Sequence, residues 1–144
     1  MANTSTPQAE PPRDGWRLDR AVLGHADTCP DKRALEFENQ AITYGDLTNR
    51  VALTATLLTT RVSRGDRFAV CSMNHPEIFV LLLAASRIGA IMMLINWRLT
   101  PAEITYQMKT ANLNGYFIAV ISKIPQARLP IIFQVLHSRL WIRS

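Results

Sequence analysis

The chain has 144 residues, 48% hydrophobic and 19% charged, enough for one domain-sized core and unlike a disordered or fibrous polypeptide. Its formal charge of +5 is confined to the end: up to Glu103 eleven Lys/Arg balance eleven Asp/Glu, whereas the later residues Lys109, Lys123, Arg128, Arg139 and Arg143 have no acid among them. Five scattered cations make too thin an electrostatic footprint for nucleic acid, so no nucleic-acid partner is expected.

The opening MANTSTPQAEPP lacks an apolar signal core and has no arginine before Arg13, so residues 1–15 read as a disordered tail and the expected address is intracellular, in the cytoplasm. Leu18, Ala21, Val22, Leu23 and Ala26 suggest a short helix that ends near Cys29-Pro30, because the residue before proline avoids the α region. Two short strands, Ala34–Phe37 and Ala41–Thr43, flank Glu38-Asn39-Gln40 as a hairpin. Thr43-Tyr44-Gly45-Asp46 then has a hydroxyl at an N-cap and an acid three residues on, which opens a helix to about Thr60.

After the turn Ser63-Arg64-Gly65-Asp66, the run Arg67–Met73 suits a buried parallel strand. Asn74-His75-Pro76-Glu77 supplies a cap, an early proline and an acid for a helix over Glu77–Ile88, which Gly89 stops. Ala90–Ile95 reads as another strand, and Thr100-Pro101-Ala102-Glu103 is a capping box opening a helix to about Ala111. Tyr116–Ile121 completes a third strand. The expected fold class is therefore α/β, the beginning of a doubly wound, mostly parallel sheet, incomplete and preceded by a small hairpin.

Several patterns have a chemical and a bland reading. Ile78–Ile95 is long enough to span a membrane, but Ser86-Arg87-Ile88-Gly89 divides it into a helix-sized and a strand-sized piece, which favours buried core. Arg64-Gly65-Asp66 spells an adhesion tripeptide yet lies where a turn is needed. Cys71 and His75 suggest a nucleophile and base, but four positions across a strand end do not fix a hydrogen bond between them. Cys29 and Cys71 form no CxxC pair, and His25, His75 and His137 are too dispersed for a metal site. No GxxxxGK[ST], GxGxxG or GxSxG occurs.

The segments CPDKRALEF, ITYGDLTNRV, RGDRFAVCSMNHPEIFVLLLAASRIGA and LINWRLTPAEITYQM occur in an order that resembles the N-terminal subdomain of the AMP-dependent synthetase/ligase superfamily, especially fatty-acyl-CoA synthetases, over residues 20–112. The resemblance implies a parent reaction in which ATP and a carboxylic acid form an acyl-adenylate and pyrophosphate, and the acyl group then passes to CoA. ATP, magnesium and CoA are the parent family's cofactors; none is expected for this segment alone. The family's phosphate loop, adenine, magnesium and ribose motifs and catalytic lysine all lie beyond the matched segment, so no catalytic residue carries over. Only Arg98, in Asn96-Trp97-Arg98-Leu99, is transferable: in some relatives this arginine lies near the CoA nucleotide, and its bland reading is a solvated arginine at a strand end.

The expected organisation is thus a tail (1–15), a partial synthetase subdomain (16–121) and a divergent basic tail (122–144), in which Leu129–Leu136 presents apolar surface. A truncated or altered reading frame would account for that tail. The expected product is a truncated piece, inactive alone, whose partners are a full-length synthetase or a second copy met through an open sheet edge. A small membrane-associated protein is the remaining alternative.

Overall fold

A computed structural model describes residues 17–113 and the strand segments Tyr116–Val120 and Val135–His137. The chain begins with α1 (Leu18–Leu23), which passes into a 3₁₀ turn over Gly24–Asp27. The single helix expected to Ala26 therefore changes type at Gly24, where helix propensity is lowest, and His25 O accepts from Cys29 N to close the segment before Pro30. A hairpin follows, β1 (Arg33–Phe37) against β2 (Gln40–Thr43), with Phe37 paired to Gln40. Its loop is Glu38-Asn39, one residue tighter than the sequence suggested, and Glu38 takes a left-handed φ of 53° to close it.

Thr43 caps α2 (Tyr44–Thr59), its hydroxyl accepting from Asp46 N at 3.1 Å. The buried stripe Leu47, Val51, Ala55 and Leu58 recurs at helical spacing and faces α3 (Pro76–Ile88). Between these helices lies β3 (Arg67–Ser72), and after them β4 (Ile91–Asn96), α4 (Pro101–Thr110), β5 (Tyr116–Val120) and β6 (Val135–His137).

The second sheet has the order β4-β3-β5-β6. The central strand β3 runs parallel to both neighbours, with Phe68 opposite Met92 on one side and Tyr116 on the other. The short strand β6, antiparallel to β5, was not expected from the sequence, which suggested no strand after Ile121. Most of residues 122–144 lie outside the described residues, as do 1–16.

Phe68 and Val70 are fully buried and join the cluster formed by α2 and α3, while Ala69, equally buried, points to the opposite face. With β4 and β5 flanking β3 on opposite sides, right-handed crossovers place α3 and α4 on opposite faces of the sheet. The doubly wound pattern is thus present in its smallest form. Helix α3 buries Val80, Leu81, Leu83, Ala84 and Ala85, spread over more than half its circumference, because it lies between the sheet and α2. Helix α4 has no buried residue; Arg67 Nη1 donates to Ala111 O at 2.7 Å and so ties its end to the start of β3.

The exit of α3 explains the Arg64-Gly65-Asp66 tripeptide. Gly89 has φ 75°, Ala90 N donates back to Ala85 O, and Gly89 O accepts from Gly65 N at 2.8 Å. Asp66 accepts from Ser63 N through its side chain and from Ile91 N through its carbonyl, both at 2.8 Å. These residues form the turn that sets the β3–β4 register.

On the far side of α3, Asp19 is buried, paired with Arg17 at 2.6 Å and hydrogen-bonded by Ser86 Oγ at 3.3 Å. Burial pushes its carboxyl up, but hydrogen bonding and charge from Arg17, with help from Ser86 and the Arg20 N–H, outweigh that and hold it below the ordinary 3.8.

Replacing Phe68 with Ala is expected to cost about 3–5 kcal/mol, whereas the same change at the exposed Phe79 should stay within about 0.5 kcal/mol. Urea denaturation of the two variants checks the contrast. Asp19 binds its proton more weakly when folded than unfolded, so its stabilisation is complete above the unfolded pKa and disappears as pH falls through the folded one. The stability gap between the wild type and Asp19→Asn should therefore be widest near neutrality and close in acid, as read from denaturation midpoints across pH.

Candidate functional site

Parallel strands bring their carboxyl ends to one edge, and here Ser72 of β3 pairs with Asn96 of β4 and with Val120 of β5. The loops that leave β3 and β4 at this edge are Met73–His75 and Trp97–Thr100. In open α/β sheets this edge is where ligands bind, so the side chains here are the ones to test chemically.

Arg98 lies in the second loop and is exposed. Asn96 fixes the backbone before it: its Oδ1 accepts from Arg98 N at 3.0 Å and its carbonyl from Leu99 N at 3.2 Å. The Arg98 guanidinium stands 5.1 Å from the centroid of the Trp97 ring, within cation–π range. Among the described residues no carboxylate lies within ion-pair distance of Arg98; the ion pairs seen are Arg17–Asp19, Arg33–Glu36 and Arg50–Glu77. Its charge is thus available to an anion.

The two helix N-termini at this edge are already filled. Glu103 Oε2 accepts from both Thr100 N and Thr100 Oγ1 at 2.8 Å, and Thr100 Oγ1 accepts from Glu103 N, which completes the capping box. Those hydrogen bonds from Thr100, backbone first, hold the Glu103 carboxyl below its ordinary range. At α3 the cap is His75, whose Nδ1 accepts from Glu77 N at 3.3 Å, and Glu77 in turn meets Arg50 at 2.9 Å. Nδ1 must therefore carry the lone pair, which commits that nitrogen to the backbone.

The suggested Cys71–His75 dyad does not survive this geometry. His75 is a helix cap packed edge-on against Phe37 at 5.6 Å, and burial pushes the Cys71 thiol up, away from the thiolate a nucleophile needs. Both Cys29 and Cys71 are free thiols. His25 stacks on Tyr44 at 5.2 Å, far along the chain from the sheet's carboxyl edge; the side chain of His137 falls outside the described residues. Among the described residues no group of three or more His, Cys, Asp or Glu is placed to hold a metal ion, and no helix is long and apolar enough to cross a membrane.

Sequence reasoning singled out Arg98 but missed the Trp97 stack on it. The only available signal was a Trp-Arg dipeptide immediately after a strand, in a loop where both side chains lack a core to enter.

Comparison with known proteins agrees with this layout. The AMP-binding enzyme family model matches residues 23–139, a range that runs past Asn112, where the recognisable motifs stop. The 2-succinylbenzoate–CoA ligase of Bacillus cereus is 33% identical over 99 residues, which cover 68% of this chain and 20% of that protein. The chain thus spans about a fifth of the length of the curated relatives it matches. Among solved structures, the N-terminal subdomain of Klebsiella oxytoca NpsA superposes with a TM-score of 0.68 at 25% identity, covering 85% of this chain and 32% of that one. A benzoate CoA ligase from Burkholderia xenovorans shares the fold, with a TM-score of 0.66 at 24% identity over 73% of this chain and 22% of its own. The chain belongs to the AMP-binding, adenylate-forming enzyme family, and its fold corresponds to part of that family's N-terminal subdomain.

Proposed function

We propose that this chain forms the N-terminal part of an acid–CoA ligase, in which Arg98 meets a phosphate of the CoA nucleotide, and that it does not adenylate a carboxylic acid unaided. The parent reaction joins a carboxylic acid to CoA through an acyl-adenylate, with ATP converted to AMP and pyrophosphate. The observation that carries the reading is the family match over residues 23–139 in a chain that spans about a fifth of its ligase relatives.

Adenylation requires cations and oriented donors where phosphate charge develops, with magnesium neutralising the rest. At the carboxyl edge of the sheet the described residues offer one uncommitted guanidinium, and both helix N-termini are closed by their own side chains. Among the described residues no group of three or more His, Cys, Asp or Glu is placed to hold a magnesium ion, and no step is routed through one. What these residues can do is bind: Arg98 supplies a planar donor set matched to a phosphate.

A second reading, a non-catalytic module that pairs with a full-length synthetase, draws support from β4. Among the described residues this strand pairs only with β3, it contains neither charge nor proline, and Ile91 and Leu94 are about half exposed on its two faces. Edge strands without such protection template pairing with another chain.

Pyrophosphate release measured with ATP and a panel of aliphatic and aromatic acids should stay at the protein-free baseline for the purified chain; sustained turnover would overturn the inactive reading. For the module reading, a full-length relative should co-purify in near-stoichiometric amount, and Leu94→Lys should abolish the pairing. Retention of the complex by that variant, or a monomer without partner, rules the β4 edge out, and a homodimer replaces the synthetase with a second copy.

A further inference from the structure

We infer that the amino edge of the main sheet, opposite the edge that bears Arg98, is a docking surface for an anionic lipid bilayer, with Arg61, Arg64, Arg67, Arg87 and Lys109 as its cations. The inference goes beyond the ligase reading and is independent of it, since the two share no residue.

Along the sequence the charge balances up to Glu103, but the winding of the chain sorts it. In a parallel α/β unit each helix starts at the carboxyl edge of the sheet and ends at the amino edge. Asp46, Glu77 and Glu103 lie in the first turns of α2, α3 and α4, whereas Arg87 and Lys109 lie in the last turns of α3 and α4. Acids thus gather at one edge and bases at the other. Arg61 and Arg64 join the bases from the turn before β3, and Arg67 opens that strand. Short contacts hold these pieces together. Gly65 N donates to Gly89 O at 2.8 Å, Arg67 reaches Ala111 O at 2.7 Å, and the stem of Arg64 lies across Gly89, where an added Cβ would come within 3.0 Å of it.

All five cations are exposed, and none takes part in the ion pairs seen among the described residues. Of the acids nearby, Asp19 is buried against Arg17, and Asp66 turns its carboxylate to Ser63 N at 2.8 Å. Asp66 offsets one of the five charges and leaves four. Complementing the dipoles of α2, α3 and α4 takes about half a charge per helix, so the four exceed that need. The cations come from the ends of α3, the sheet and α4, which are three successive layers, and so they form an end face instead of a groove or a single helical stripe. Such a face meets a planar array of phosphates, which guanidinium groups match in geometry. Ile91, paired with Arg67, and Leu57, in the last turn of α2, are each 49% exposed at the same end. Aliphatic groups among cations suit the acyl boundary of a bilayer better than the stacked bases of a nucleic acid.

The test is co-sedimentation of the full chain with phosphatidylcholine vesicles containing 30% phosphatidylserine or none. The wild type should pellet with the anionic vesicles alone and be released by 0.5 M salt. Each cation at such a surface tightens binding about fivefold, so Arg61→Gln with Arg87→Gln should weaken it about twentyfold or more. Lys32→Gln with Arg33→Gln removes the same charge from the hairpin and should leave binding within about twofold. Both pairs of changes keep residues 122–144, so the basic tail contributes equally to each. Equal losses in the two variants mean that net charge alone drives binding and overturn the docking surface, as does a wild type that ignores anionic vesicles. If the wild type instead binds an RNA oligonucleotide or poly-glutamate, and vesicles do not compete for it, the bilayer is the wrong partner. Circular dichroism of each variant confirms that these surface changes leave the fold intact.

Discussion

Burial of β3 on both faces is the constraint from which the rest of the architecture follows. Phe68 and Val70 require a cover on one side and Ala69 on the other, so a single layer of helices is insufficient. The chain meets this by crossing to β4 on one flank of β3 and returning to β5 on the other, which sends α3 and α4 to opposite faces. That winding also decides where chemistry is available. Each crossover starts from a carboxyl end, so the loops after β3 and β4 arrive together at one edge of the sheet, and Arg98 comes with them.

The two covers are unequal. Helix α3 is gripped by the sheet, by α2 and by α1, and its polar attachments are satisfied: Ser86 bonds the buried Asp19, and Glu77 meets Arg50. Among the described residues no buried side-chain nitrogen or oxygen lacks a partner, so this half of the molecule carries no unmet polar cost. Helix α4 buries no residue and depends on its capping box and on the Arg67 bond to Ala111. Stability is therefore concentrated in the α2–α3–β3 layer, and the loop that bears Trp97 and Arg98 joins the firm layer to the lightly held helix.

Local chemistry was legible in the sequence wherever a residue type serves one purpose. The Thr100–Glu103 box, the left-handed Gly89 and the periodic stripe of α2 all appear where their side chains demand. What escaped was set by partners distant along the chain or by residues used against preference. Histidine is not among the favoured N-caps, and the run Asn74-His75-Pro76-Glu77 announced a cap without saying that the imidazole Nδ1 of His75 would accept from Glu77 N. A three-residue strand such as Val135–His137 is too short for periodicity to reveal, and its pairing with β5 is a tertiary fact. Arg67 reaches Ala111 across 44 positions, a separation no window of local pattern contains. The position of Arg98 could be anticipated from its motif, but its geometry against Trp97 depends on how Asn96 bends the loop.

Those caps also narrow how this surface can recognise an anion. Many nucleotide sites in α/β sheets hold phosphate on bare N–H groups at a helix start. Here the start of α3 is taken by an imidazole nitrogen and that of α4 by a carboxylate, whose negative charge would oppose a second anion at the same place. Recognition must then come from side chains standing clear of the helices. Within the described residues the guanidinium of Arg98 meets that requirement, with an indole behind it and no acid in front. In a chain that spans a fifth of its ligase relatives, one exposed guanidinium on a single loop offers an anion a point of attachment, and adenylation would need further cations and oriented donors from outside the described residues.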